Sequence, residues 1–395
     1  MKRLMALLLI LSLVTMVPLM SACKNDNVGD DAAETTADDI EQEPIEHKVG
    51  YIYYGSVRNS THNLIMENSR IQLEKNLGVE TYFIEDVFVK NFMDAVELLI
   101  EYGVTIIVST SQAFENVAER AATENKSVQF ISFGNSSTRM NLTAFQPLLY
   151  QPANICGLAA AYNSESDSLG VVVDDRMFNS GGVVNAYLQG AREVRTTNLV
   201  TYVNYASSES DSEVRAAIDD LVAKGNDVIM LYLSTDYGIR YCEQIGVKVV
   251  AFSRNLPELA PNNYITGFFF NLDSYITEQV RFIQNDAFFP ITTFGVLDTG
   301  HVQMIKLNDN VNEGTSKLTD FLYDALTKND RVFVGKISDI FGNTVVEHGI
   351  TLSFRDVLNI KWLDSSATDR VGKFTEPLAD VVLVPLVVKG TAIDD

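Results

Sequence analysis

The stretch Val104-Thr105-Ile106-Ile107-Val108-Ser109-Thr110-Ser111-Gln112-Ala113-Phe114 decides the fold. Val104–Val108 is an unbroken apolar and β-branched run without alternating polar positions. A strand of that kind is buried on both faces, as in a parallel sheet covered by helices. The polar turn after it leads into a helical pattern over Phe114–Glu124, and the helix before it, Phe92–Tyr102, stops at Gly103.

Working outward, the same rhythm continues. Upstream lie a strand at Val49–Tyr54, a helix at His62–Leu77 closed by Gly78, and a strand at Val79–Ile84. Downstream comes Val128–Ser132. A second series begins with strand Leu169–Val173 and a helix through Val183–Val194. It continues with strand Leu199–Asn204, helix Ser212–Lys224, strand Asp227–Leu231, a helix ending at Gly246, and strand Val247–Phe252. Alternating strand and helix implies parallel sheets. The fold class is therefore α/β, with two Rossmann-like, doubly wound lobes. The roughly 350 residues after Lys48 exceed what one core usually organises, which agrees with two lobes.

In open α/β sheets ligands bind beyond the carboxyl ends of the strands. That points to the residues after Tyr54, Val108, Val173, Asn204, Leu231 and Phe252. None of these turns carries GxGxxG or GxxxxGK[ST], so a nucleotide-phosphate cradle has no motif behind it. The turns are instead rich in hydroxyl, amide and ring groups: Ser60-Thr61-His62-Asn63, Ser109-Thr110-Ser111-Gln112, Tyr205-Ala206-Ser207-Ser208 and Ser253-Arg254-Asn255. Such chemistry suits a neutral polar ligand held by hydrogen bonds and stacking.

The chain's formal charge is −22 and no Lys/Arg cluster forms a basic face, which argues against nucleic acid as a partner. There is no CxxC or HExxH metal signature, and no cofactor is implied. Cys156 and Cys242 fall in helical patterns and read as free buried thiols, although a bridge between them stays open. An enzyme would need a nucleophile–base pair or a metal, and the four scattered His residues give neither. The expectation is a binding protein, not an enzyme.

The N-terminus adds location. Lys2 and Arg3 precede an apolar stretch from Leu4 to Met20, and Met20-Ser21-Ala22-Cys23 resembles the lipobox of bacterial lipoproteins. Residues 1–22 then read as a signal peptide, Cys23 as the lipidated residue, and 23–47 as an acidic tether. Within 24–47, nine Asp/Glu face one Lys, with no aromatic residue, a composition that cannot form a packed core. A transmembrane anchor and a secreted protein with a chance cysteine are the competing readings. The expected location is the extracytoplasmic face of the cell membrane.

Six stretches stand out together: KVGYIYYGSVRNSTHNLIMENSRIQLEKNLGVETYFIEDV from Lys48, Val108–Phe114, NAYLQGAREV at 185–194, AAIDDLVAKGNDVIM at 216–230, GVKVVAFSRNLPELAP at 246–261, and GKISDIFGNTVV at 335–346. In their order and spacing they resemble the basic membrane protein family of lipoproteins, the purine-nucleoside-binding receptors of ABC importers. The resemblance runs from Lys48 to about Trp362. It implies the type I periplasmic-binding-protein fold, with two lobes joined by three crossings. The lobes are expected at 48–146 plus 256–290 and at 147–255 plus 291–375, with 376–395 as an extension in which Leu378–Val388 reads as a strand. The implied partners are a small-molecule ligand, an ABC permease, and the membrane through the lipid.

At the family's first binding loop, where an Asp is followed by a stacking Phe or Trp, this chain has Asn59 and His62. The family's second-lobe aromatic falls near Ser207 or Ser208, and its Asp after the last second-lobe strand is matched by Asn255. Asn59, His62, Gln112, Ser208, Asp236 and Asn255 are thus the expected polar contacts, with Phe114 and Phe178 as stacking partners. A purine nucleoside or nucleobase is the favoured ligand. The alternative is a surface sensing or interaction lipoprotein of the same fold that binds a sugar or another small molecule.

Overall fold

The β-branched runs do form strands. The computed structural model describes residues 46–369 other than 135–138, 167 and 196–198. The chain begins with β1 (Val49–Tyr54), α1 (Thr61–Leu77), β2 (Thr81–Val87), α2 (Phe92–Glu101), β3 (Ile106–Ser109), α3 (Glu115–Glu124), β4 (Gln129–Phe133) and β5 (Leu142–Pro147). It then builds α4 (Tyr150–Asn163), β6 (Ser168–Val173), α5 (Ser180–Val194), β7 (Val200–Tyr205), α6 (Asp211–Ala223), β8 (Val228–Tyr232), α7 (Tyr237–Ile245), β9 (Lys248–Phe252), α8 (Leu256–Leu259) and β10 (Tyr264–Phe270). The last part holds α9 (Asp273–Gln284), β11 (Thr292–Gly295), β12 (Val302–Met304), α10 (Thr315–Lys328), the hairpin β13 (Ile337–Ser338) and β14 (Thr344–Val346), α11 (Phe354–Leu358) and β15 (Ala367–Asp369).

Two sheets result. The first has the order β11-β5-β4-β3-β1-β2 and is parallel throughout. The second has the order β12-β10-β9-β8-β6-β7-β15, and only β12 runs against its neighbour. All four residues of β3 are buried, as its unbroken apolar run requires. The chain passes between the sheets three times, after β5, after β10 and after β11. This is the doubly wound, two-lobed fold expected from the alternation.

The division between lobes differs from the expected one at two places. The resemblance places 256–290 in the first lobe, but β10 at Tyr264–Phe270 pairs with β9 in the second sheet. The resemblance places 291–375 in the second lobe, but β11 at Thr292–Gly295 pairs with β5 in the first. The crossings therefore lie near 271 and between 296 and 301. Strand register, not local sequence pattern, sets these boundaries. The crossings are stitched together: Asn271 N–H donates to the His301 carbonyl (2.7 Å) and Leu297 N–H to Gln151 Oε1 (3.0 Å).

Helix α4 is buried on nearly every side. It crosses α5 closely because both carry glycine at the contact. A Cβ on Gly190 would lie 1.8 Å from the Asn154 carbonyl oxygen, and one on Gly157 would lie 1.9 Å from that of Tyr187. Cys156 and Cys242 are buried free thiols, as read, and burial pushes Cys242 up to about 12. The lipobox with Cys23, the tether up to residue 45 and the apolar tail Leu378–Val388 lie outside the described residues. Among the described residues no helix is long and apolar enough to cross a membrane.

Candidate functional site

The site is assembled from the carboxyl ends of both sheets. In the first lobe, β1 ends in a loop ordered from within. Asn63 is buried and its Nδ2 donates to the carbonyls of Tyr54 (2.9 Å) and Ser56 (3.2 Å). Ser60 caps α1, its hydroxyl accepting from Asn63 N–H. This turn presents His62 on the first turn of α1. Its Nε2 lies 2.7 Å from the Thr110 carbonyl, and Thr110 is itself tied to β1 through its hydroxyl (2.8 Å to the Ile52 carbonyl). A carbonyl only accepts, so Nε2 carries the proton and Nδ1 keeps its lone pair. The ring meets Phe133 and Phe270 edge-on, with centroids 4.8 and 5.1 Å away. Burial in this apolar setting pulls the imidazole pKa down to about 4, against a smaller upward effect of the Thr110 carbonyl. His62 is neutral at pH 7.

In the second lobe, β6 is followed by Asp174, whose carboxylate ties its own turn to the turn after β7. Arg176 grips it with Nε (3.0 Å) and Nη2 (2.8 Å), and Ser208 N–H donates to it (2.8 Å). Burial acts to raise the Asp174 pKa, but Arg176 and the neighbouring N–H donors together hold it below the usual carboxylate value. The Ser208 hydroxyl in turn accepts from Ser234 N–H (3.0 Å). Phe178 is fixed behind these loops by its carbonyl, which accepts from the Tyr232 hydroxyl.

The lobes meet at several points, among them the approach of His62 and Phe133 in the first to Phe270 in the second (5.1 and 4.9 Å between ring centroids). Thr61 N–H, at the start of α1, donates to the Ser234 carbonyl across the cleft (2.6 Å), and the rings of Phe133 and Phe178 lie 5.6 Å apart. Around this contact the cleft forms two cavities. The larger, of about 760 Å3, is lined by Tyr54, Phe88, Phe133, Phe178, Tyr237 and Phe270, together with His62, Gln112, Asp174, Arg176 and Ser208. The smaller, of about 430 Å3, is lined by Arg58, Asn59, Asp236, Arg240, Arg254 and Asn255 among others.

Of the residues expected from sequence, His62, Gln112, Phe178 and Ser208 line the larger cavity, and Asn59 lines both. Asp236 and Asn255 line only the smaller one. Phe114 is a correction: it is fully buried in the first lobe's core, with its ring 4.6 Å from that of Phe92, so it packs the fold and lines neither cavity. Its place in a 3-10 turn ahead of α3 points it inward. The residues missed are chiefly Asp174 with Arg176, and the rings of Phe133 and Phe270. The carboxyl-end rule already pointed at the turn after Val173. Phe270 ends a strand whose existence rests on pairing with β9.

Three comparisons bear on this geometry. A family model described as ABC transporter substrate-binding protein PnrA-like matches residues 46–336. A purine-binding protein of Brucella abortus is 20% identical over 331 residues, spanning 82% of this chain and 93% of that protein. Among solved structures, a transcriptional activator of the comK gene from Bacillus halodurans superposes with a TM-score of 0.63 at 15% identity, covering 72% of this chain and 99% of that one. An ABC transporter solute-binding protein from Conexibacter woesei gives 0.59 at 14% identity, covering 72% and 97%.

Proposed function

The chain belongs to the PnrA-like family of ABC transporter substrate-binding proteins, and on that premise we propose that it is a lipid-anchored receptor whose ligand is a purine nucleoside or nucleobase. The observation that carries this reading is the lining of the larger cavity. Aromatic side chains from both lobes, Tyr54, Phe88 and Phe133 on one side and Phe178 and Tyr237 on the other, face a common space. A flat heterocycle buries both its faces against such walls. The neutral His62, with Nδ1 free to accept, and the exposed amide of Gln112 suit the edge of a base, which carries both N–H donors and acceptors. The purine-binding relative supports the same ligand class.

Contacts to both lobes give the ligand a greater affinity for the closed arrangement, and closure is what an ABC permease would read. The role is binding rather than catalysis. An acylated Cys23 on an acidic tether would hold the receptor beside the membrane on its extracytoplasmic face.

A hydroxyl-rich ligand such as a sugar is the second reading, favoured by the Asp174–Arg176 pair at the cavity wall. A thermal-shift screen of purine nucleosides, nucleobases and sugars separates the two. A purine at 100 times its Kd adds about 2.7 kcal/mol of stability and visibly raises Tm. If no nucleoside or base shifts Tm near about 1 mM, the purine reading fails. For the anchor, Cys23→Ala should move the protein from the membrane fraction to the soluble one, and continued membrane retention would refute lipidation at Cys23.

A further inference from the structure

The two cavities carry opposite charge. Glu115, Asp174 and Glu209 face a single guanidinium, Arg176, around the larger one. Around the smaller one, Arg58, Arg240 and Arg254 face a single carboxylate, Asp236. In a chain of formal charge −22, this reversal is local and specific.

The three guanidiniums come from different lobes. Arg58 projects from the loop after β1 in the first lobe, whereas Arg240 on α7 and Arg254 after β9 belong to the second. Asp236 satisfies only Arg240 (3.0 Å). Arg254 has Asp273 at 3.9 Å, beyond hydrogen-bond reach, and that carboxylate is already shared with Asn68. Among the described residues Arg58 has no ion-pair or hydrogen-bond partner. Like charges converging on one space as the lobes meet repel each other, and an oxyanion between them turns that repulsion into attraction. The side chains of Asn59 and Asn255 supply neutral amide donors at the same cavity.

We propose that the smaller cavity is an oxyanion site, taking a phosphate group that bridges Arg58 of one lobe and Arg254 of the other. The phosphate is either free orthophosphate or the phosphate of a nucleotide. The acidic lining of the larger cavity disfavours an anion there, so the two cavities would sort the charged and uncharged parts of what binds. The proposal stands independently of the purine reading.

Isothermal titration of the full-length protein with orthophosphate, a purine nucleoside and its 5′-monophosphate tests it. Orthophosphate or the monophosphate is expected to bind with an affinity that falls with added salt. Arg58→Gln and Arg254→Gln should each weaken that binding about tenfold and leave the nucleoside's affinity within about twofold. Binding of free phosphate alongside the nucleoside assigns a separate site. A monophosphate that displaces both assigns one ligand spanning the two cavities. Either result supports the oxyanion site. It is overturned if neither orthophosphate nor the monophosphate binds more tightly than about 10 mM, or if both variants bind them as the parent does. The nucleoside arm reports on the purine reading separately. Unchanged melting curves of the two variants exclude misfolding, and Arg240→Gln provides a third variant if one of them fails to fold.

Discussion

His62 enters the cleft neutral, and that has a measurable consequence. Its native pKa of about 4 lies below the ordinary 6.5. Between those values the unfolded chain binds a proton that the native protein does not, so stability falls as pH is lowered through that window. The loss levels off below about 4, where native His62 is protonated too. His62→Phe should fit among Phe133 and Phe270 and flatten the drop in Tm between pH 7 and pH 5, measured by circular dichroism. His47 and His301 are lowered as well, in both cases chiefly by burial, so part of the slope remains. An unchanged slope would mean that His62 is not held neutral. His62 was legible in sequence as a candidate contact because it follows β1 at the carboxyl edge, where it lines the larger cavity. Its neutrality was not, because Thr110, Phe133 and Phe270 reach it from distant parts of the chain. The same limit explains Phe114: it stands in a polar turn, and only the position of Phe92 reveals that it is core.

Among the elements, those with a local signal are legible in the sequence. Strand β3 and helix α1 carry unbroken or capped patterns, with Gly78 in the left-handed conformation closing α1 (φ 66°). Strand β11, four residues long, has no such signal and exists by pairing with β5. The sequence pattern without β11 therefore puts the lobe boundary in the wrong place. Helix α4 is buried all round and so lacks the one-sided apolar stripe that marks a surface helix. Its packing on α5 depends on glycine. An alanine methyl at Gly190 has the Asn154 carbonyl 1.8 Å away, on a backbone that cannot swing aside. Forcing these helices apart costs about 1–3 kcal/mol or more. Gly190→Ala should therefore lower Tm in chemical or thermal denaturation by several degrees, whereas an alanine at an exposed position of the same helix should not. Equal stability of the variant and the parent would show that the helices do not touch there.

At the scale of the whole molecule, the three crossings make closure the natural large motion, and one hydrogen bond measures it. Thr61 N–H to the Ser234 carbonyl is a short polar contact between the lobes, and it comes from a backbone donor that α1 itself does not use. Thr61 is the first residue of α1, the position where proline is tolerated because its missing N–H has no partner within the helix. Ser60 before it is already extended (φ −127°, ψ 117°), the conformation that a following proline demands. Thr61→Pro should thus keep the helix and delete only the cross-lobe bond. Losing one such bond costs the closed state about 1 kcal/mol. That corresponds to a roughly fivefold weaker affinity for any ligand that selects closure. Thr61→Val, which retains the N–H, is the control for the lost hydroxyl. Small-angle scattering of the ligand-free proline variant should give a larger radius of gyration than the valine variant, with the two converging once ligand is saturating. If the two variants scatter alike and bind alike, this bond does not govern closure, and the aromatic contacts of His62 and Phe133 with Phe178 and Phe270 are the next to test.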